Sequence, residues 1–384
     1  MTPTPRALMV SYFYPPMPGG LPAQTHFLAR SLVARGVAVQ AVTVRTSGAP
    51  ARELVDGVAV SRLPTLPMGG YRTRAHPWLG PLAAFLWIHR HEYDLLHVHQ
   101  ALHPAALCVA VGKALGKPVL VKVTGSGAPG NVQILRTWGG TAPLVRRLLH
   151  QADAVVSLSG EITAELEGDG YDKTRIVRIP NGVDFAAHAE DDARAASHPP
   201  LVLTCTRLSP EKANDVLLHA WPSVVNRFPQ ARLRILGDGP ARESLVSLAN
   251  DLGIASSVQW CGQVADVPRH LAQADVFVLP SRSGEGMSNA LLEAMAAGCA
   301  CVASDITANR EVLGDGELGR LFRSENPAEL AARIEALLAD DSQRRRLGES
   351  ARRAAQDHYA MSRVAARYEE LYRALVARTR PLEL

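Results

Sequence analysis

Short apolar runs alternate with longer segments of helical period along almost the whole chain. In the first half the runs are ALMVSY, VAVQAVTV, VAVSRL, LLHVH, VLVKV, AVVSL and RIVRI; in the second they are LVLTCT, RLRILG, VQWCG, DVFVLP and CACVAS. Each set predicts a parallel sheet wrapped by helices on both faces. Between the sets, residues 186–200 are polar, Ala-rich and end in Pro199-Pro200, which predicts a linker. The expected fold class is therefore α/β, with two Rossmann-like, doubly wound domains (1–185 and 201–358) facing one another across a cleft. The last strong pattern, Tyr359 to Ala377, is apolar at helical spacing and predicts an amphipathic helix.

Composition narrows the class. The chain has 384 residues, 47% of them hydrophobic and 20% charged, which is enough for two domains of ordinary size. No apolar run approaches the roughly 20 residues of a membrane span. The start, MTPTPRALMV, lacks the apolar core and cleavage site of a secretory signal, so the expected location is the cytoplasm. The five cysteines are odd in number and without metal-ligand spacing, and they read as buried free thiols. A net charge of +4 is too small to imply nucleic acid, and is compatible with a polyanionic substrate or an acidic membrane surface.

The residues with chemical potential fall just after strand ends. Gly19 and Gly20 follow the first run after a short loop, His97 and His99 close LLHVH, and Thr124 follows VLVKV. Arg207 follows LVLTCT, Gly237 follows RLRIL, and Glu285 follows DVFVLP. Open parallel sheets bind ligands outside the carboxyl ends of their strands, so these residues are expected to converge on one crevice.

Glu285 and Glu293 bracket a strand-to-helix turn and the helix after it, which is expected to end at Gly298. The backbone N–H groups of Gly286, Met287 and Ser288, at a helix N-terminus, suit sugar or phosphate oxygens. Gly284 and Gly286 flank Glu285, as a turn approached closely by a ligand requires. Arg207 and Lys212, five apart across a turn with Pro210, suit a diphosphate, the alternative being two solvated cations. His97 and His99 are expected to point to opposite faces of their strand, His99 into the cleft and His97 into the core. No Asp-x-Asp closes a strand and no His/Asp cluster has metal spacing, so no metal site and no cofactor are expected. Two basic, aromatic segments, Tyr71 to Arg90 and Ile134 to His150, read either as helices resting on anionic lipid or as amphipathic helices packed on the first sheet.

Taken in order, Pro18-Gly19-Gly20, the run from Asp94 to His99, Pro180-Asn181-Gly182-Val183-Asp184, the run from Arg207 to Lys212, Gly237-Asp238-Gly239-Pro240 and the segment from Glu285 to Glu293 resemble family 4 retaining glycosyltransferases of the GT-B fold. The likeness covers nearly the whole chain. It implies that the closing segment, 359–384, crosses back onto the first domain. It also implies that Arg207 and Lys212 bind the donor diphosphate, that Glu293 meets the nucleotide ribose, and that Glu285 lies over the transferred sugar. Gly19 and Gly20 are then placed near the donor phosphate; His99 and Thr124, by their strand-end positions, are expected to line the acceptor cleft.

The chain departs from the family pattern twice. Ala213 stands where glycine is usual, and Thr124 stands where many members carry a histidine that reaches the donor sugar, so the sugar is left open. The implied activity is metal-independent, retaining transfer from a UDP- or GDP-sugar by front-face attack. The acceptor is a saccharide, a lipid-linked molecule or a small molecule, with peripheral contact at the inner membrane face as an option. A nucleotide-sugar 2-epimerase of the same fold and a non-catalytic nucleotide-sugar binding protein are the alternatives.

Overall fold

The structure, a computed structural model, describes residues 4–65, 71–127, 130–137, 139–188, 199–283 and 285–377, with 71–76 described by their backbone alone. The chain divides into two compact units. One holds the chain up to Gly182 and again from Met361 onward; the other is Val183–Ala360. Most of the expected linker, 189–198, lies outside the described residues. The residues before it, Phe185–His188, form a 3₁₀ turn in the second unit, where the Arg352 guanidinium sits 6.0 Å above the Phe185 ring.

Among the described residues the first unit is built on eight strands: β1 (Arg6–Val10), β2 (Ala38–Val44), β3 (Arg52–Val55), β4 (Val58–Leu63), β5 (Leu95–His99), β6 (Val119–Lys122), β7 (Ala154–Ser157) and β8 (Ile176–Arg178). Their spatial order is β3-β4-β2-β1-β5-β6-β7-β8. All neighbours are parallel except β3 and β4, so the expected parallel sheet carries an antiparallel edge. The cause is local: Asp56 and Gly57 both adopt positive φ, 46° and 82°, which closes a two-residue hairpin of the twist that strands favour. RELV is too short and too polar to have stood out as a strand.

The second unit has six strands among the described residues: β9 (Leu201–Cys205), β10 (Arg232–Leu236), β11 (Val258–Gly262), β12 (Val276–Leu279), β13 (Ala300–Ser304) and β14 (Arg320–Phe322). The order β11-β10-β9-β12-β13-β14 is parallel throughout. In each sheet the order reverses once, between β1 and β5 and between β9 and β12. Such a reversal opens a crevice at the carboxyl ends of the two central strands. β14, three residues begun by an arginine, gave no sequence signal.

Each unit has its own core. In the first, Leu28 and Leu32 from helix Gly20–Ala34 and Tyr368, Leu371 and Tyr372 from helix Met361–Val376 pack with Met9, Leu95, Leu120 and Val156 of the sheet. In the second, Trp221 and Leu217 of helix Asn214–Arg227 pack with Ile334 and Leu337 of helix Pro327–Ala339 and with Val202, Ile235 and Val278. The closing segment therefore joins the first unit, as expected, but its helix starts at Met361. Tyr359 ends a preceding helix, Asp341–Tyr359, and Ala360 between them is extended (φ −57°, ψ 130°) and bridges to Val183. Among the described residues no helix is long and apolar enough to cross a membrane.

Candidate active site

The second unit builds its site at the reversal between β9 and β12. β9 delivers Arg207, which is exposed and has no ion-pair partner among the described residues. The chain then turns through a 3₁₀ helix, Pro210–Lys212, and leaves it at Ala213, whose φ of 52° and ψ of 36° are left-handed. This is where the family has glycine; alanine keeps the conformation at a cost of about 1 kcal/mol, with its methyl fully buried.

β12 delivers Ser281 and, four residues on, Glu285. The Lys212 ammonium donates to Glu285 Oε1 at 2.6 Å, and the Ser281 hydroxyl donates to the same oxygen at 2.7 Å. The carboxylate side chain is 8% exposed and the lysine 20%. Lys212 thus has a carboxylate partner, and Ser281 is a participant that the sequence reading missed. Its position one residue after the strand's proline was the available signal.

Gly286, Met287 and Ser288 are buried, and the Ser288 hydroxyl accepts from Leu291 N–H as the N-cap of helix Asn289–Ala296. Gly284 lies outside the described residues. Glu293 occupies the second turn of that helix, half-buried, with no hydrogen-bond partner for its carboxyl among the described residues. Burial pushes its pKa up to about 7. The thiol of Cys205, at the end of β9, is pushed up to about 12 by its own burial and by the Glu293 charge.

Gly237 has a structural reason of its own. With φ at 120°, any Cβ there would stand 2.0 Å from the Thr206 carbonyl oxygen, and one on Gly239 would stand 2.3 Å from that of Leu208. The loop after β10 therefore lies directly on the backbone that presents Arg207, and only glycine permits it.

A carboxyl this desolvated makes the ligand-free protein less stable as it ionises. Its folded pKa is raised above the ordinary 4.5, so the penalty is absent below about pH 4.5, grows as pH rises, and levels off above 7. Glu293→Gln should therefore gain on the wild type by about 2 kcal/mol between pH 5.5 and pH 8. Urea unfolding at the two pH values measures this; equal differences at both would show that Glu293 titrates normally.

The first unit places its candidates at the end of β1, β5 and β6. Gly19 caps helix Gly20–Ala34 with φ at 131°, and both glycines are exposed. The loop before them is pinned: the Arg62 guanidinium donates to the Pro15 carbonyl at 2.7 Å and pairs with Glu53, and Tyr14 Oη meets His26 Nδ1 at 2.9 Å.

His97 and His99 do not point to opposite faces. Residues two apart in a strand share a face, and the rings stack with centroids 4.3 Å apart. Both are buried. His97 Nδ1 meets Tyr372 Oη at 2.7 Å, His99 Nδ1 meets Thr25 Oγ1 at 3.2 Å, and both Nε2 atoms lack a hydrogen-bond partner among the described residues. Burial, with the nearby Lys122 charge, holds both well below the usual histidine pKa, so they are neutral. His99 is thus a core residue, not an open cleft residue. Lys122, which ends β6, is in the same cluster; its ammonium donates to Asn181 Oδ1 at 2.9 Å. Thr124 spends its N–H and its hydroxyl on Asn131 Oδ1, at 3.1 and 3.4 Å.

In the first basic segment, Trp78, Leu82, Phe85 and Leu86 of helix Tyr71–Ile88 are buried, leaving Trp87 and Ile88 exposed; the side chains of Arg72 and Arg74 lie outside the described residues. In the second, Arg136 and Arg146 both hold the buried carboxylate of Asp169, at 2.8 and 2.6 Å, and Trp138 lies outside the described residues. The two arginines tie their helices to the end of helix Gly160–Gly168 rather than standing free.

Two Rossmann-like units, the second presenting a lysine paired with a carboxylate at a sheet reversal, fit a glycosyltransferase of the GT-B fold. The solved structure of sucrose-phosphate synthase from Thermosynechococcus elongatus superposes with a TM-score of 0.83 at 24% identity, over 98% of this chain and 100% of that one. Anabaena Alr3699/HepE in complex with UDP superposes with a TM-score of 0.76 at 19% identity, over 95% and 98%. Residues 18–187 match the family described as Glycosyltransferase Family 4, and residues 188–354 match Glycosyl transferases group 1. The phosphatidyl-myo-inositol mannosyltransferase of Mycobacterium tuberculosis (strain ATCC 25618 / H37Rv) is 32% identical over 370 residues, 93% of each chain. The chain belongs to glycosyltransferase family 4, and is an enzyme of the hexosyltransferase class.

Proposed function

We propose that the protein moves a hexose, with retention of anomeric configuration and without a metal ion, from a UDP- or GDP-sugar to a hydroxyl of a saccharide, lipid-linked or small-molecule acceptor. The observation that carries this reading is the cluster of Lys212, Glu285 and Ser281 at the β9/β12 reversal, with the exposed Arg207 on the same loop as Lys212. A diphosphate leaving group gains negative charge as the glycosidic bond breaks. A fixed ammonium and a guanidinium stabilise that charge without reorganising at the moment of reaction. Glu293, desolvated and without a partner, accepts hydrogen bonds from two neighbouring ribose hydroxyls. Glu285 holds Lys212 in place before the donor arrives and faces the sugar afterwards.

A mannosyl donor and a polyol lipid acceptor are favoured by the mycobacterial relative, whose name states that chemistry; a UDP-sugar is favoured by the UDP complex of the Anabaena protein. An epimerase would return an isomerised nucleotide-sugar and a binding protein no product, and one assay separates them from a transferase. Nucleoside diphosphate release is measured from UDP-, GDP-, ADP- and dTDP-sugars, with and without EDTA. One donor should be hydrolysed slowly, at the same rate in EDTA, and NMR of the product with acceptor present should show the donor's anomeric configuration. Loss of activity in EDTA would sink metal independence, an inverted product would sink retention, and binding without release would leave the binding protein.

A further inference from the structure

We propose that Arg282 is a positioning residue for donor turnover, holding the turn that carries Lys212 against the loop that carries Glu285. Arg282 follows Ser281 at the end of β12 and reaches across to the β9 loop at several points. Its backbone N–H donates to the Glu211 carbonyl at 2.8 Å, and Nη1 donates to the Pro210 carbonyl at 2.7 Å. Nη1 and Nη2 together take the Asp215 carboxylate at 2.9 and 2.5 Å, and Nε donates to Glu325 Oε1 at 2.7 Å.

Residues 210 and 211 lie before Lys212 and residue 215 lies after it, so one side chain and its own backbone grip the turn on both sides of the lysine. Arg282 is also three residues from Glu285. The distance between the Lys212 ammonium and Glu285 is thereby set by a fork of fixed geometry. A planar guanidinium serves a carboxylate, a carbonyl and a second carboxylate at once, and a lysine in its place could not. The hydrogen bonds and charges of Asp215 and Glu325 outweigh burial and raise the Arg282 pKa, so the fork keeps its charge at every working pH.

A structural ion pair is the competing explanation, and its magnitude tells against it. The Arg282 and Asp215 side chains are 28% and 38% exposed, and pairs so open to water contribute little to stability. Positioning has more leverage, since a misplacement of about 1 Å at a reacting centre costs about 10²-fold in rate.

The inference rests on the reading of Lys212 as a donor-activating residue, and the test separates the two. Arg282→Met should lower kcat for donor hydrolysis about 10- to 10²-fold, with less change in KM and a small shift in Tm. Arg282→Lys should restore little of it. In a Lys212→Ala background, Arg282→Met should cost less than about threefold more, because its effect passes through the lysine. Asp215→Asn, which leaves the carbonyl contacts, should lower kcat by a smaller factor, and Arg323→Met, which breaks only an exposed pair with Glu329, should leave kcat unchanged. An unchanged kcat in Arg282→Met, or the same loss in both backgrounds, would overturn the inference. An unchanged rate in Lys212→Ala alone would instead overturn the assignment of Lys212.

Discussion

Lys212→Ala should lower kcat for donor turnover by about 10²- to 10³-fold, the usual loss when one preorganised charge-stabilising donor is removed from a reacting centre. The same change strips a mostly buried carboxylate of its ammonium, while the Ser281 hydroxyl still donates to Glu285 Oε1. Breaking a buried pair on one side is destabilising, here by up to about 3 kcal/mol, because an uncompensated charge remains. Rate and stability therefore fall together in the single variant, and a second variant separates them. Lys212→Met with Glu285→Gln removes both charges at similar volume and should recover most of the lost Tm while leaving kcat low. Steady-state hydrolysis of the best donor together with thermal unfolding decides it. Recovery of both rate and Tm in the double variant would mean that the pair is structural and that neither residue acts on the donor.

Lys122→Met should stabilise the first unit most at neutral pH and progressively less as pH rises. Lys122 is fully buried against Asn181 and the Tyr368 ring, near His97 and His99, with no carboxylate partner among the described residues. Burial lowers its pKa from 10.5 to about 7. A depressed folded pKa means that the neutral amine is the form the fold prefers. The associated stability is present in full above about pH 10.5, declines as pH falls, and is exhausted near 7. The wild type should therefore gain on the methionine variant by about 3 kcal/mol between pH 7 and pH 9.5. The histidines and tyrosines around it are neutral across this window: burial holds the former well below, and the latter well above, their ordinary values. Urea midpoints of both proteins over that range measure the slope. Parallel curves would show that Lys122 stays charged in the fold.

Much of this enzyme was legible in its residues. Every apolar run named from the sequence became a strand, because Val, Leu and Ile stretches of this length bury well only between helices. The turn at Glu285, the helix carrying Glu293 and the end at Gly298, whose φ is 70°, were likewise legible, since local chemistry decides them. The short strands β3 and β14 were not, because their pairing depends on neighbours rather than on their own hydrophobicity. The break at Ala360 was hidden because helical periodicity runs straight through it, and only the bridge to Val183 marks it.

At the site, residue types and their order determined by themselves which loops are the candidates and which family the chain belongs to. What each group is bonded to was decided only by tertiary structure. Lys212 and Glu285, 73 positions apart, meet at 2.6 Å because β9 and β12 are neighbours in the sheet. Arg282 grips the lysine's turn for the same reason, and His99 is turned inward onto Thr25 by the helix that covers it. Burial and hydrogen-bond partners are properties of which elements lie side by side, and a pattern read along one chain contains periodicity but not adjacency.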